Sequence, residues 1–597
     1  MIHLRGAALR VRGIVALAVA VMGGASCAPL AAPQGSGPVA ASSVGSPKGT
    51  AFVAAAHPLA VEAGLNVLRD GGSAVDAAVA IQAMLSLVEP QSSGLGGGAF
   101  MVRYDAKTRA VTVYDGRETA PAGVRPDVFM GADGKPIGFR TAVLSGSATG
   151  VPGVVRMLAM AHEPHGKRAW RDLFGDVART AEEGFVVSAR LERFVHGSAP
   201  QAGAPDVVAY FRNEAGEKIR AGDRLRNPAY AAFVRRLAEG GPEVMYGGET
   251  AKRIVARVRQ GDLASSMTER DLAAYRPVVR EGLCNPYRVY ILCAPPPPSS
   301  GVGLLQLMAM VERTDIGTRG PSDPLAWVKY AEASRLMYAD RDAYVGDTPD
   351  VPVRGMLDPA YVASRVALVG DRAGPAPKPG TPPGARTASI DATNEVAGTS
   401  HFVVVDGEGN AVSMTTTVES LFGSGRMVDG FFLNNQMTDF SFIPSGPNAI
   451  APGKRPRSSM VPTVILDRDR QLVGAIGSPG GNAILGYVSK ALIGALEWNL
   501  PMAEAIALPN LIARGDSFNG ETRRFTPELL SAMAARGVTV RPGAGEDSGL
   551  HGVLIRNGRF DGAADPRRDG VARTITLAPA RTPNERTDPL SYRLPGR

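Results

Sequence analysis

The hydrophobic pattern first becomes regular between residues 58 and 114. Residues 58–68 carry apolar side chains at helical spacing, and residues 73–88 are alanine-rich and apolar on almost every side. This pattern predicts one amphipathic helix and one buried helix, separated by a glycine-rich break. Residues 101–104 and 110–114 then alternate between apolar and polar, which predicts two strands joined by a short turn.

The clearest strand pattern lies between Gly398 and Thr417. An apolar run opens at Thr399, passes through an Asp-Gly-Glu-Gly-Asn turn and returns into three consecutive threonines, residues 415–417. This pattern predicts a β-hairpin. A hydroxyl at the start of one strand, with more hydroxyls returning beside it, indicates a candidate nucleophile. Threonine is also a common strand residue, so the hairpin alone does not decide between catalysis and structure.

A second candidate for chemistry is a glycine-rich turn after an apolar strand at residues 473–476. The turn, Gly477-Ser478-Pro479-Gly480-Gly481-Asn482, leads into a helix predicted from Ala483 to Leu500. A strand, a tight turn and a helix N-terminus present consecutive backbone N–H groups to an anion. A phosphate group and the oxyanion of an acyl transfer both fit this arrangement.

The middle of the chain has two regions of different character. Residues 150–368 are mostly helical in pattern, with an amphipathic helix predicted for residues 331–344. Residues 371–397 are rich in proline and glycine and lack periodicity. We expect them to form an exposed, extended segment that leads to Thr399.

Composition narrows the class of protein. The chain has 597 residues, 20% of them charged, and a net charge of +8 spread along its length, which argues against a nucleic-acid partner. Residues 1–26 combine arginines, a short apolar run and small residues, as an export signal does. The sequence Gly24-Ala25-Ser26-Cys27 resembles a bacterial lipoprotein processing site. We therefore predict a periplasmic protein with a membrane anchor through Cys27, followed by a flexible tether over residues 27–50.

Cysteine and histidine content bears on metals and redox state. Cys284 and Cys293 are the other two cysteines, and the chain has seven histidines. A local disulfide is favoured in an exported protein, with two buried thiols as the alternative. We predict no metal and no cofactor.

Several motifs, taken in order, resemble those of the γ-glutamyltransferase (γ-glutamyltranspeptidase) family of N-terminal nucleophile hydrolases. The resemblance covers residues 51–575. It rests on Ala74-Val75-Asp76-Ala77-Ala78-Val79-Ala80, Gly94-Leu95-Gly96-Gly97-Gly98, Arg117-Glu118-Thr119-Ala120-Pro121, Pro296-Pro297-Pro298-Ser299-Ser300-Gly301, Gly398-Thr399-Ser400-His401, Leu433-Asn434-Asn435-Gln436-Met437, Arg455-Pro456-Arg457-Ser458-Ser459-Met460 and Gly477-Ser478-Pro479-Gly480-Gly481.

The resemblance implies an α/β (α+β) fold, a four-layer αββα sandwich made as one precursor. The precursor would cut itself between Gly398 and Thr399, leaving a large subunit over residues 51–398 with its preceding tether, and a small catalytic subunit over residues 399–597. The new α-amine of Thr399 would serve as the base for its own hydroxyl. Glutathione is the expected donor, and water or an amino acid the acceptor.

The family roles carry over by position. Thr417 would orient the Thr399 hydroxyl and Thr415 would assist maturation, while the N–H groups of Gly480 and Gly481 would hold the oxyanion. The remaining positions would bind the α-amino acid head of the substrate. Its carboxylate would be bound by Arg117, Ser458 and Ser459. Its ammonium would be bound by Glu419, Gln436 and Asp439.

Two departures from the family pattern leave other functions open. Glu419 stands where many members have Asn, which makes the ammonium site more negative. The link over residues 443–453 is short where many members have a longer lid, which predicts a more open site. The alternatives are a glutaryl- or cephalosporin-type acylase of the same fold, and a degenerate envelope lipoprotein that binds without catalysis.

Overall fold

Two antiparallel sheets form the centre of the molecule. The computed structural model describes residues 46–386, 398–543 and 548–578, together with 389, 391, 393 and 395. The predicted export signal, Cys27 and the tether up to residue 45 lie outside the described residues. In chain order the strands of the two sheets are β1 (Thr50–Ala55), β2 (Gly98–Tyr104), β3 (Val111–Asp115), β4 (Val278–Glu281), β5 (Leu283–Tyr287), β6 (Tyr290–Ala294), β7 (Thr399–Val405), β8 (Ala411–Thr417), β9 (Thr463–Asp467), β10 (Leu472–Gly477), β11 (His551–Arg556), β12 (Arg559–Ala564) and β13 (Val571–Thr576).

The first sheet has the strand order β13-β1-β7-β8-β2-β3-β4, and the second has the order β12-β11-β10-β9-β6-β5. Side chains alternate between two separate cores along β7. Phe402 and Val404 belong to the core on the outer face of the first sheet, whereas Val403 and Val405 belong to the core between the sheets. This two-residue period places Thr399 and every second residue after it on the face towards the second sheet.

Helices cover both outer faces of the sandwich. Two helices, residues 58–69 and 74–88, pack on the first sheet in the first core. Three helices, residues 301–311, 324–344 and 484–492, pack on the second sheet in the second core. The structure therefore confirms the αββα layering. The helices of eight residues or more are α1 (Pro58–Arg69), α2 (Ala74–Val88), α3 (Val154–His165), α4 (Gly175–Glu183), α5 (Pro228–Gly240), α6 (Gly248–Val258), α7 (Gly301–Val311), α8 (Pro324–Tyr344), α9 (Pro359–Val366), α10 (Ile484–Leu492) and α11 (Pro527–Ala534).

Shorter strands form small sheets at the periphery: Phe185–Val186 with Arg224–Leu225, Met427–Val428 with Phe431–Phe432, and Leu511–Arg514 with Ser517–Gly520 and Arg541–Pro542.

Several local predictions differ from the structure. The region predicted to be mostly helical also contains β4, β5 and β6. The disulfide favoured for Cys284 and Cys293 is confirmed, and it joins β5 to β6. Helix α8, predicted to be amphipathic, is buried on nearly every side because its charged residues pair inside the protein. The helix after the glycine-rich turn is regular over Ile484–Leu492 and then widens into a π-helical turn.

The segment before Thr399 is exposed over most of residues 371–386, as its composition predicts, whereas two described residues nearer to Thr399 are buried. Asp391 and Glu395 are both buried, because each of them pairs with arginines of the folded core. Within the described part of the chain, no helix is long and apolar enough to cross a membrane. Across those same residues, no group of three or more His, Cys, Asp or Glu side chains is arranged to hold a metal ion.

Candidate active site

Thr399 is the first residue of β7 and lies directly opposite Thr417, the last residue of β8. Both residues are 3% exposed. The Thr399 hydroxyl donates a hydrogen bond to the Thr417 hydroxyl at 3.2 Å, and the Thr417 hydroxyl donates in turn to the carbonyl oxygen of Gly398 at 2.8 Å. The antiparallel register therefore places a hydroxyl relay at the peptide bond predicted to be cut.

The backbone around this bond is tightly held. The Gly398 carbonyl also accepts a long hydrogen bond, 3.4 Å, from the N–H of Val418, and Arg568 donates to the carbonyl of Thr399 at 3.1 Å. A Cβ atom at Gly398 would lie 2.4 Å from the carbonyl oxygen of Glu419. Glycine is required before Thr399 because no larger residue fits this close approach.

Thr415 lies one step further along the hairpin. It faces His401 on β7, and its hydroxyl is 2.9 Å from Nδ1 of that buried imidazole. Among the described residues, no hydrogen bond joins Thr415 to Thr399 or to Gly398. The structure thus brings Thr417 to the peptide bond predicted to be cut, whereas Thr415 does not contact that bond directly.

The glycine-rich turn after β10 adopts a conformation that favours glycine. Gly480 has φ +135° and Gly481 has φ +54°, and a Cβ atom at Gly480 would lie 2.5 Å from the Tyr487 ring. Within the described residues, no hydrogen bond to another residue uses the N–H of either glycine. Gly480 and Tyr487 line a cleft of about 1560 Å³. The turn therefore offers two unused N–H groups beside an open cleft.

Arg117 and Asp439 form the charged centre of the candidate substrate site. Arg117 is 1% exposed and donates to Asp439 at 2.5 Å and to the carbonyl of Arg457 at 2.7 Å. Gln436 also donates to Asp439, at 2.5 Å. Burial raises the pKa of Asp439 to about 6, although the Arg117 charge opposes that shift. The structure pairs Arg117 with a predicted ammonium acceptor.

Glu419 follows Thr417 by two residues and has φ +81°, unusual for a side chain with a Cβ atom. Its N–H donates to the Thr417 hydroxyl at 2.8 Å, and Asn435 donates to its carboxyl group. Burial, followed by the negative charge of Asp439, raises the pKa of Glu419 well above its ordinary value. Glu419 and Asp439 are therefore two buried carboxyl groups that interact with each other, and Glu419 lies next to Thr417, the hydrogen-bond partner of Thr399.

Ser458 and Ser459 sit against the proline-rich motif that precedes α7. The N–H of Ser458 donates to Pro298, and the Ser300 hydroxyl donates to the carbonyl of Ser458 at 2.7 Å. The N–H of Ser459 donates to the carboxylate of Glu395 at 2.8 Å, and Arg341 donates to the Ser459 hydroxyl at 2.7 Å. The predicted carboxylate site thus already contains a carboxylate.

Several residues of this site were missed from the sequence. Arg341 lies in a helix whose apolar positions suggested ordinary packing, although charged residues along its buried side were an available signal. Glu395 lies in a segment whose composition predicts an exposed linker. The proline-rich motif around Ser300 carries the resemblance, but its sequence predicts no role in the site. Asn435 lies in one of the motifs that carry the resemblance, although no role was predicted for it. Arg568 gave no signal, because only the fold brings it to the site.

The structure thus has a threonine that begins a strand between two stacked sheets, follows a glycine and is hydrogen-bonded to a neighbouring hydroxyl. This arrangement is typical of N-terminal nucleophile hydrolases. The model of one family, Gamma-glutamyltranspeptidase, matches residues 60–575. The chain belongs to this enzyme family.

Three comparisons illustrate the relationship. The glutathione hydrolase proenzyme of Bacillus subtilis (strain 168) is 36% identical over 547 residues, covering 88% of this chain and 92% of the relative. The acylase ACY 1 proenzyme of Pseudomonas sp. (strain V22) is 31% identical over 539 residues, covering 88% and 93%. The crystal structure of cephalosporin acylase from Bacillus halodurans has a TM-score of 0.76 at 24% identity, covering 92% of this chain and 99% of that one, and shows the shared fold.

Proposed function

We propose that this protein is a γ-glutamyl hydrolase and transferase that first cuts itself between Gly398 and Thr399. It then cleaves γ-glutamyl amides such as glutathione through an acyl-enzyme on Thr399. The observation that carries this proposal is the hydrogen-bonded relay from Thr399 through Thr417 to the Gly398 carbonyl. The name of the Bacillus subtilis relative, a glutathione hydrolase proenzyme, supports both the processing and the substrate.

Self-cleavage follows from this geometry. The Thr399 oxygen attacks the Gly398 carbonyl carbon, and the Thr417 hydroxyl donates to the oxygen that becomes negative. The C–N bond then breaks, the nitrogen takes up the proton that the hydroxyl released, and an ester joins Gly398 to the Thr399 side chain. Water hydrolyses the ester, which gives a new carboxylate on Gly398 and a free α-amine on Thr399.

Turnover repeats the chemistry on a bound substrate. The α-amine of Thr399 accepts the proton of its own hydroxyl, since its reference pKa of about 7.7–8.0 keeps part of it unprotonated near neutral pH. The oxygen attacks the γ-carbonyl, and the unused N–H groups of Gly480 and Gly481 stabilise the oxyanion. The leaving amine takes the proton and departs. Water or the amine of an acceptor then attacks the γ-glutamyl ester and regenerates the threonine.

Substrate selection depends on charges around Thr399. The carboxyl groups of Glu419 and Asp439 can accept an α-ammonium, and the cationic side of the site, around Arg117 and Ser459, can hold an α-carboxylate. These groups together recognise a free α-amino acid head. That head distinguishes a γ-glutamyl donor from a simple acyl donor.

An acylase that accepts glutaryl-type amides is the second candidate. It is favoured by the short link over residues 443–453, where Ile443 is 57% exposed, and by the relative named as an acylase. Rates on γ-glutamyl and glutaryl anilides separate the two candidates. We expect the γ-glutamyl anilide to react much faster, because without the ammonium a buried carboxyl pair loses its partner. A faster glutaryl anilide would replace our proposal with the acylase.

We also propose a periplasmic location with lipid attached at Cys27, as the sequence of the first 27 residues indicates. Metabolic labelling with radioactive palmitate tests the attachment. The wild-type protein should carry the label and Cys27→Ala should not. An unlabelled wild-type protein would refute the anchor.

A further inference from the structure

The predicted carboxylate site is occupied by the chain itself. Glu395, four residues before Thr399, accepts the N–H of Ser459 at 2.8 Å and a short hydrogen bond from Arg341. The guanidinium of Arg457 lies 3.5 Å from the same carboxylate. We call Arg341, Arg457 and Ser459 the carboxylate cradle. All three are at most 1% exposed.

The cradle is built to hold a negative charge. Arg341 also donates to the Ser300 hydroxyl at 2.9 Å and to Asp342 at 2.9 Å, which fixes its guanidinium in one orientation. Burial alone would raise the pKa of Glu395, but the charges of Arg341 and Arg457 and the hydrogen bonds from Ser459 and Arg341 together lower it to about 2. The cradle therefore favours the ionised carboxylate.

The segment that carries Glu395 also covers the oxyanion turn. The carbonyl of Glu395 accepts the N–H of Asn482 at 3.1 Å, and Glu395 lines the same cleft as Gly480. Asp391, on the same segment, contacts Arg457 at 3.1 Å. Before cleavage this segment occupies both the anion-binding turn and the cradle.

Cleavage after Gly398 gives this segment a free end. If it leaves, Arg341 and Arg457 lose Glu395 and Asp391 together. Of the carboxylates within 4 Å of either guanidinium in the described chain, Asp342 alone then remains. An uncompensated buried guanidinium is strongly unfavourable, so the emptied cradle should bind another carboxylate.

We propose that Arg341 is a further specificity residue that binds the α-carboxylate of the donor, and that Glu395 fills its place until the chain is cut. This inference rests on the proposed function for the identity of the donor. It adds Arg341 to the residues that the resemblance assigns to the carboxylate, since Arg341 contacts one of them, Ser459, while another, Arg117, is paired with Asp439. The cradle itself requires only a carboxylate.

The first test uses the mature enzyme and a change that keeps the positive charge. Arg341→Lys removes the forked donor geometry, so KM for a γ-glutamyl anilide should rise at least about tenfold, with kcat changing much less. Arg335→Lys is the matched control, since Arg335 is equally buried on the same helix and pairs with Glu332. An unchanged KM in Arg341→Lys, or an equal rise in Arg335→Lys, would overturn the assignment.

The second test asks whether Glu395 occupies the cradle, and it does not depend on turnover. The Thr399→Ala variant keeps the chain uncut, and adding Glu395→Ala should empty the cradle so that acetate can bind there. The melting temperature of this double variant should be about 2 °C higher in acetate than in chloride at the same ionic strength. Thr399→Ala alone, and Thr399→Ala with Asp391→Ala, should show no such rise. Equal shifts in all three proteins, or none in the Glu395 variant, would overturn the occupancy.

The two proposals fail separately. If acetate binds as expected but the mature enzyme releases no product from γ-glutamyl amides, the cradle stands and the proposed function falls. If the mature enzyme cleaves γ-glutamyl amides normally while both tests above fail, the function stands and the cradle falls.

Discussion

Glu419→Gln is the substitution that most directly tests how this site selects its substrate. Glu419 and Asp439 are fully buried neighbours, and burial together with the Asp439 charge raises the pKa of Glu419. The raised pKa favours the protonated form of Glu419 in the empty site, whereas a bound α-ammonium favours the ionised form. A glutamine side chain has the same shape as a protonated glutamate and cannot ionise. The variant therefore stays in the equivalent of the protonated state at every pH.

The size of the effect follows from one hydrogen bond to a charged group, about 1.5–3 kcal/mol. We expect kcat/KM for a γ-glutamyl anilide to fall about 10- to 150-fold in Glu419→Gln. In the wild type KM should fall as pH rises above 7, since a bound ammonium favours release of the Glu419 proton and a higher pH makes that release easier. The variant should lose this slope.

The assay is the initial rate of anilide release between pH 7 and 8, with a glutaryl anilide as the internal control. The glutaryl donor has no ammonium, so its kcat/KM should change little in the variant. A loss below about threefold on the γ-glutamyl donor would refute the reasoning. An equal loss on both donors would show general damage to the site and refute it as well.

Three further changes test separate parts of the account. Thr417→Val should slow self-cleavage strongly, seen as a persistent uncut chain on denaturing gels, whereas Thr417→Ser should still cut because the hydroxyl remains. Gly480→Ala should lower kcat about 10- to 1000-fold, since its Cβ atom would meet the Tyr487 ring at 2.5 Å; an unchanged kcat would exclude Gly480 from the oxyanion site. Glu118→Gln should stabilise the protein increasingly between pH 4.5 and 8, because burial raises the pKa of Glu118 to about 8 and the unfolded chain loses that proton first. Urea midpoints at pH 5 and pH 8 measure that gain, and an equal gain at both values would contradict it.

Local pattern was enough to predict the elements that position the nucleophile. The hairpin of β7 and β8 follows from its apolar run, its glycine-rich turn and its returning threonines, and the helices α1 and α2 follow from their periodicity. The sandwich itself came from the motif resemblance, because strand order depends on contacts between distant segments that no local pattern encodes.

The errors have physical causes. Strands β5 and β6 have five residues each, and Asn285-Pro286, a pair typical of turns, lies inside β5. The local pattern therefore carries little strand signal. Helix α8 looked amphipathic because its charges were assumed to face water, whereas Arg335 and Arg341 pair with acidic groups inside the protein. Glu395 looked like part of an exposed linker because its partners, Arg341, Arg457 and Ser459, lie far away in sequence.

The N-terminal sequence and intact mass of the small chain test the central claim most directly. Purified wild-type protein, denatured and separated, should yield a fragment that begins Thr-Ser-His-Phe and has the mass of residues 399–597. Thr399→Ala should remain a single uncut chain. A wild-type chain that stays intact over days, or a fragment that begins at any other residue, would contradict the assignment of Thr399 as the nucleophile.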